Sequence, residues 1–142
     1  MSTNAWSPAV LNAPTGPPVR RVTAHAALLL GAVAAALSAL VHLYLWADGY
    51  RNVATIGPLF LAQGIAGLLL AVTVVAYPRA LTAGIAASYL LASLAALALS
   101  ATRGFLGFTD SLDAPWAMPA LLVESAGALL LIAGGALAFR RR

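Results

Sequence analysis

The sequence predicts an all-α membrane protein: four transmembrane helices in an up-down bundle with both termini cytoplasmic. Three observations point there. Hydrophobic residues make up 62% of the chain and charged ones 8%, and the mean hydropathy is +0.92, values outside the range of soluble domains. Apolar runs at 22–46, 57–77, 80–102 and 116–139 each reach the ~20 residues that a bilayer crossing needs. The arginines are lopsided: Arg20 and Arg21 precede the first run, Arg79 lies between the second and third, and Arg140, Arg141 and Arg142 follow the fourth. Positive charge is retained on the cytoplasmic side, so these six mark the inside. Arg51 and Arg103 alone fall on the other face, where Asp48, Asp110 and Asp113 also lie.

Residues 1–21 carry Pro8, Pro14, Pro17 and Pro18 without apolar periodicity, so a disordered cytoplasmic tail is expected. The first span is too long for the roughly 7–15-residue core of a signal peptide and no small-residue cleavage site follows it, so it reads as a retained anchor. Pro58 suits the opening turn of the second span, where a missing N–H is harmless. Tyr77-Pro78-Arg79 is short enough to make spans two and three antiparallel neighbours, with Pro78 ending a helix; this hairpin is the firmest contact the sequence offers. The connection 103–115 holds Phe105, Leu106 and Phe108 and is the only one long enough to act as a lid. Asp113-Ala114-Pro115 reads as a cap and opening for the fourth span, and 140–142 form a basic cytoplasmic C-terminus.

Several functions are excluded at this level. There is no cysteine, hence no thiolate nucleophile, disulfide relay or Cys-ligated zinc. No phosphate-binding glycine loop and no intramembrane Asp pair is present, so enzyme chemistry is not expected. The isoelectric point of about 10.4 comes from arginines at span ends; it reports orientation, not nucleic-acid binding.

Within each span the small and polar residues share one helical face. The faces read Gly31, Ala35, Ser38, His42; Phe60, Gln63, Gly67, Leu70; Thr82, Ala86, Tyr89, Ser93, Ala96, Ser100, Arg103; and Ala120, Glu124, Gly127, Leu131, Gly134, Ala138. Helices in lipid pack through small residues, and polar groups turn inward. Gly31, Gly67, Gly127 and Gly134 are therefore expected at helix contacts. At 1.5 Å per residue, His42 lies ~6 Å, Gln63 ~9 Å, Glu124 ~11 Å and Ser93 ~14 Å below the outer ends of their spans. The four should meet in the outer half, with Arg103 at the end of its stripe above them.

Glu124 is the only acid inside a span and must be paired, hydrated or protonated. A structural bond to His42, Gln63 or Arg103 would fix helix register; a functional acid would handle protons, cations or a polar ligand. In contrast to small four-span multidrug exporters, the first span carries no acid. A metal centre is not expected, since His42 and Glu124 supply two ligands where catalytic zinc needs three. No cofactor is predicted. Haem on His42 would need a second axial ligand from elsewhere, because His25 and His42 are ~25 Å apart along one helix.

The run His42-Leu43-Tyr44-Leu45-Trp46 … Gly49-Tyr50-Arg51 … Ile56-Gly57-Pro58-Leu59-Phe60 resembles a group of small uncharacterised four-span membrane proteins of actinobacteria. The resemblance covers about a quarter of the chain and implies fold and a bacterial cytoplasmic-membrane location, with no activity attached. The expected role is an accessory or interaction component of a membrane complex or homo-oligomer, with lipid and a protein partner as its contacts. The alternative is a ligand-, proton- or ion-handling protein with an outward site at His42, Gln63 and Glu124. A haem or quinone redox protein comes third.

Overall fold

The computed structural model describes residues 18–139, which form four long helices: α1 (Pro18–Asp48), α2 (Ile56–Ala76), α3 (Ala80–Thr102) and α4 (Ala117–Phe139). A single 3-10 turn, Tyr50–Asn52, links α1 to α2. All four helices are long and apolar enough to cross a membrane; the shortest, 21 residues, spans ~32 Å, enough for a hydrocarbon core of ~30 Å. Among the described residues no strand forms, only one bridge between Phe105 and Phe108.

Helix boundaries depart from the sequence reading by a few residues at most, and two of the departures matter. Helix α1 begins at Pro18, a residue tolerated at a helix start because the first N–H groups have no partner, so Arg20 and Arg21 belong to the helix. Residues 1–17 and 140–142, which the sequence assigns to a disordered tail and a basic C-terminus, lie outside the described residues. At the other end, Asp113 does not cap α4. Backbone bonds Ala114 N to Ser111 O (3.0 Å) and Ala117 N to Ala114 O (3.0 Å) make two successive turns instead, and the helix opens at Ala117.

Burial is inverted relative to a soluble protein. Exposed positions include Leu30, Val33, Leu40, Leu69, Val72, Leu91, Leu122, Leu129 and Ile132, while Ala32, Ala35, Ala39, Ala83, Ala86 and Ala87 are buried. Without a hydrophobic drive between helices in lipid, close approach through small residues supplies dispersion contacts. Gly31 lies against Leu131, Gly134 against Leu28, and Gly127 against Ala34 and Leu90. Gly67 is pressed against Tyr89 and Ala39. Gly64, against Leu43, and Gly135, against Ala83, occupy equivalent contacts off the stripes read from sequence.

The helices do not surround the axis evenly. Helix α1 packs along both α4 and α2, and α3 packs along α4, whereas α2 and α3 touch much more sparsely. The Tyr77-Pro78-Arg79 turn does join these two, and Thr82 Oγ1 donates to the Tyr77 carbonyl (2.6 Å), yet their hairpin is the loosest seam between helices adjacent in the chain. Leu28, Ala32, Ala35, Ala71, Val74, Ala83, Ala86, Ala87, Leu90, Ala128 and Leu131 fill the half of the bundle nearest that turn. Toward the opposite end the seam opens into a cavity.

Candidate functional site

The cavity, about 320 Å³, is lined by Leu59, Phe60 and Gln63 of α2, Ala92, Ser93, Ala96, Leu97 and Ser100 of α3, His42 of α1, and Ala120 and Glu124 of α4. Ile56 and three residues of the α3–α4 connection, Phe105, Phe108 and Asp110, complete it. Its size falls within the range of small-molecule pockets, as do its mostly apolar walls with a few convergent polar groups.

At its floor Glu124 is 1% exposed. Its Oε1 accepts two short hydrogen bonds, from Ser38 Oγ at 2.6 Å and Ser93 Oγ at 2.8 Å. Both serines stand on the faces turned toward α4, one from each flanking helix, so the acid ties α1 and α3 to α4. Among the described residues, no hydrogen bond reaches Oε2 and no cationic side chain contacts the carboxyl.

His42 adjoins this group indirectly. Its Nδ1 lies 2.8 Å from the Ser38 carbonyl; a carbonyl can only accept, so Nδ1 carries a hydrogen. Its Nε2 stands 3.4 Å from Ser93 Oγ, the long limit of such a bond. Ser93 has one proton and donates it to Glu124, leaving Nε2 a lone pair facing Ser93 oxygen. An added proton thus has two places to go: Glu124 Oε2, or Nε2, which would then donate to Ser93. In the second arrangement His42, Ser93 and Glu124 form an unbroken donor chain with the carboxylate at its end.

Gln63 contributes the one buried side-chain atom without a partner among the described residues, its Nε2. Its backbone carbonyl accepts from Tyr89 Oη at 3.0 Å, bracing α3 on α2 immediately below the opening. An unpaired buried donor is costly, and in a residue lining a cavity it calls for an acceptor from a guest.

Aromatic rings wall the mouth. Phe60 stacks on Tyr50, centroids 4.8 Å apart at 11°, and lies tilted against His42 at 5.1 Å; Tyr50 meets Phe108 edge-on at 5.7 Å. Gly57 lets this happen, because a Cβ there would stand 2.7 Å from the Arg51 carbonyl and 2.8 Å from that of Tyr50. Burial first, and the Asp110 charge second, push the Tyr50 phenol above its ordinary value of 10.0, so it is a neutral ring at physiological pH.

The α3–α4 connection folds over the cavity. Phe105 N donates to Phe108 O (2.7 Å) and Phe108 N to Phe105 O (2.9 Å), closing a two-residue turn whose central residues have φ of 51° (Leu106) and 79° (Gly107). Positive φ at both central residues is the mark of a type I′ hairpin, which favours Asn-Gly. Leu106 departs from that preference, and the left-handed conformation costs it about 1–2 kcal/mol. Leu106→Gly is therefore expected to slow amide hydrogen exchange at Phe105 and Phe108; unchanged or faster exchange would mean that the turn is not held in this form.

Of the residues that the sequence brings into consideration, His42, Gln63, Ser93 and Glu124 line one cavity. Arg103 does not: α3 ends at Thr102, and Arg103 is an exposed C-cap with φ −124° and ψ −7°. The helical stripe stops before reaching it. Nor does Glu124 bond directly to His42, Gln63 or Arg103. Its partners are Ser38 and Ser93; Ser38, like Asp110, is a residue of the site that sequence reasoning misses. Ser38 shares a face with His42 four residues on, which was the available signal. Among the described residues no group of three His, Cys, Asp or Glu side chains could hold a metal ion. Comparisons with protein-family models, with curated proteins and with solved structures found no match to this chain.

Proposed function

We propose that this chain is a multi-pass protein of the bacterial cytoplasmic membrane that binds a small, polar-headed molecule in the α2–α3 cavity, from the extracytoplasmic side. The observation that carries this reading is the cavity itself: an apolar chamber on whose floor His42, Gln63, Ser93 and Glu124 converge, with an unpartnered buried donor on Gln63. The bundle is taken as up-down. Contacts Leu28–Gly134, Gly31–Leu131 and Ala34–Gly127, ascending along α1 while descending along α4, support opposed directions for those two helices. Arginine placement sets both termini inside and the cavity mouth outside.

An accessory role within a larger complex is the other reading of the sequence. Lipid-facing polar side chains would favour it, since a partner helix would satisfy them; His42, Gln63, Ser93 and Glu124 line the cavity instead. Haem or quinone chemistry has only His42 in its favour, and both ring nitrogens of His42 face neighbouring groups.

The chain lacks cysteine, which makes labelling clean. Ala96→Cys, inside the cavity, is expected to react in intact cells with a small membrane-impermeant thiosulfonate, whereas Ala133→Cys, exposed on the opposite half of α4, is not. An unreactive Ala96→Cys would mean that no outward opening exists. Reporters fused after Arg142 and within 103–115 should read cytoplasmic and extracytoplasmic respectively; identical readings at the two sites would overturn the topology.

A further inference from the structure

Building on the ligand-binding reading above, we infer that the guest is a small organic ammonium bearing an acceptor oxygen. Charge points to a cation: the lining holds two carboxyl groups, Glu124 and Asp110, and no Arg or Lys. Aromatic rings of Phe60, Phe105 and Phe108 line the same space, and alkylammonium groups are attracted to such rings as well as to carboxylates. Gln63 Nε2, buried without a partner, supplies the donor for an oxygen on the guest. The three features call for one molecule: a positive head, an acceptor atom, and a little apolar surface.

The carboxyl that would meet the cation is held by neutral partners: Glu124 accepts from the Ser38 and Ser93 hydroxyls. A carboxylate at this depth needs a compensating positive charge, and an ammonium in the cavity supplies one.

The test uses the full-length protein in maltoside micelles with choline as probe, against its neutral isostere in which carbon replaces the ammonium nitrogen. Calorimetry compares the two affinities. Choline is expected to bind about tenfold more tightly than the isostere. Glu124→Gln, checked for an unchanged thermal midpoint, should bring the two affinities close together; Asp110→Asn should weaken choline binding a few-fold and leave the isostere unaffected. If Glu124→Gln fails to fold, the wild-type ratio and the Asp110→Asn result decide the matter alone.

Equal binding of choline and isostere, blocked by Ala96→Trp, would overturn the cation inference and leave the cavity reading standing. Failure of both to bind would count against both. A free ammonium and a lipid headgroup share this chemistry. Loss of choline binding in phosphatidylcholine nanodiscs but not in phosphatidylglycerol ones would support the inference with the headgroup as source; equal binding in both would support it with the free cation.

Discussion

Gly127→Leu is expected to destabilise the bundle by about 3 kcal/mol or more, with Gly127→Ala already costing about 1–3 kcal/mol. Helix α4 is wedged between α1 and α3 at this position. A Cβ on Gly127 would stand 2.6 Å from Ala34 Cβ and 2.8 Å from Leu90 Cδ1. Leu90 can rotate away; Ala34 cannot, because an alanine has no rotamer to change, so the α1 backbone must retreat. That retreat would also draw Ser38, one turn on, from Glu124. The control is Gly84→Leu, where nothing lies within 4 Å of a built Cβ, and which should alter the thermal midpoint in detergent little. Equal loss in the two variants would mean that Gly127 does not sit at a helix contact.

Glycine spacing is what the sequence conveys best, and the reason is physical. A helix repeats every 3.6 residues, so periodicity identifies a face; lipid as solvent then forces small and polar faces inward. Gly31, Gly67, Gly127 and Gly134 are legible on those grounds, as is the convergence of His42, Gln63, Ser93 and Glu124 on one cavity. Periodicity does not say which neighbour a face meets. The loose α2–α3 seam, and with it the cavity, depends on how Tyr89 and Gly67 set the separation of two helices, a tertiary matter that neither sequence reports alone. Arg103 failed for a different reason: the stripe was carried one residue past the end of its helix. Ser38 reads as one small residue of its stripe, and serine is so often bonded to its own helix that its role as a donor to Glu124 is not legible from position. The hairpin over the mouth was hidden because Leu106-Gly107 lacks the Asn-Gly signature of its turn.

The second large effect is expected at Glu124, where the outcome separates a structural tie from a working site. Glu124→Leu removes the acceptor of two buried hydroxyls. Each stranded serine would cost about 1–3 kcal/mol were it unable to find another partner; bonding back to a carbonyl of its own helix lowers that, so a total loss of about 1–3 kcal/mol is expected. Combining Glu124→Leu with Ser38→Ala and Ser93→Ala should recover much of it, since buried polar groups are often replaceable by packed apolar ones of similar volume. In double-mutant cycles, coupling of Glu124 to Ser38 or Ser93 should reach about 0.5–3 kcal/mol, whereas His42, touching the acid only through Ser93 at the 3.4 Å limit, should add to Glu124 within about 0.5 kcal/mol. Strong direct coupling of His42 to Glu124 would show that the two meet as an ion pair, contrary to the geometry. Ligand binding then decides the purpose of the cluster. If the stable triple variant still binds the guest as the wild type does, the acid only fastens helices together; a variant restored in stability and unable to bind would show that the bundle tolerates a buried carboxyl for the sake of what enters the cavity, and the latter is the expected result.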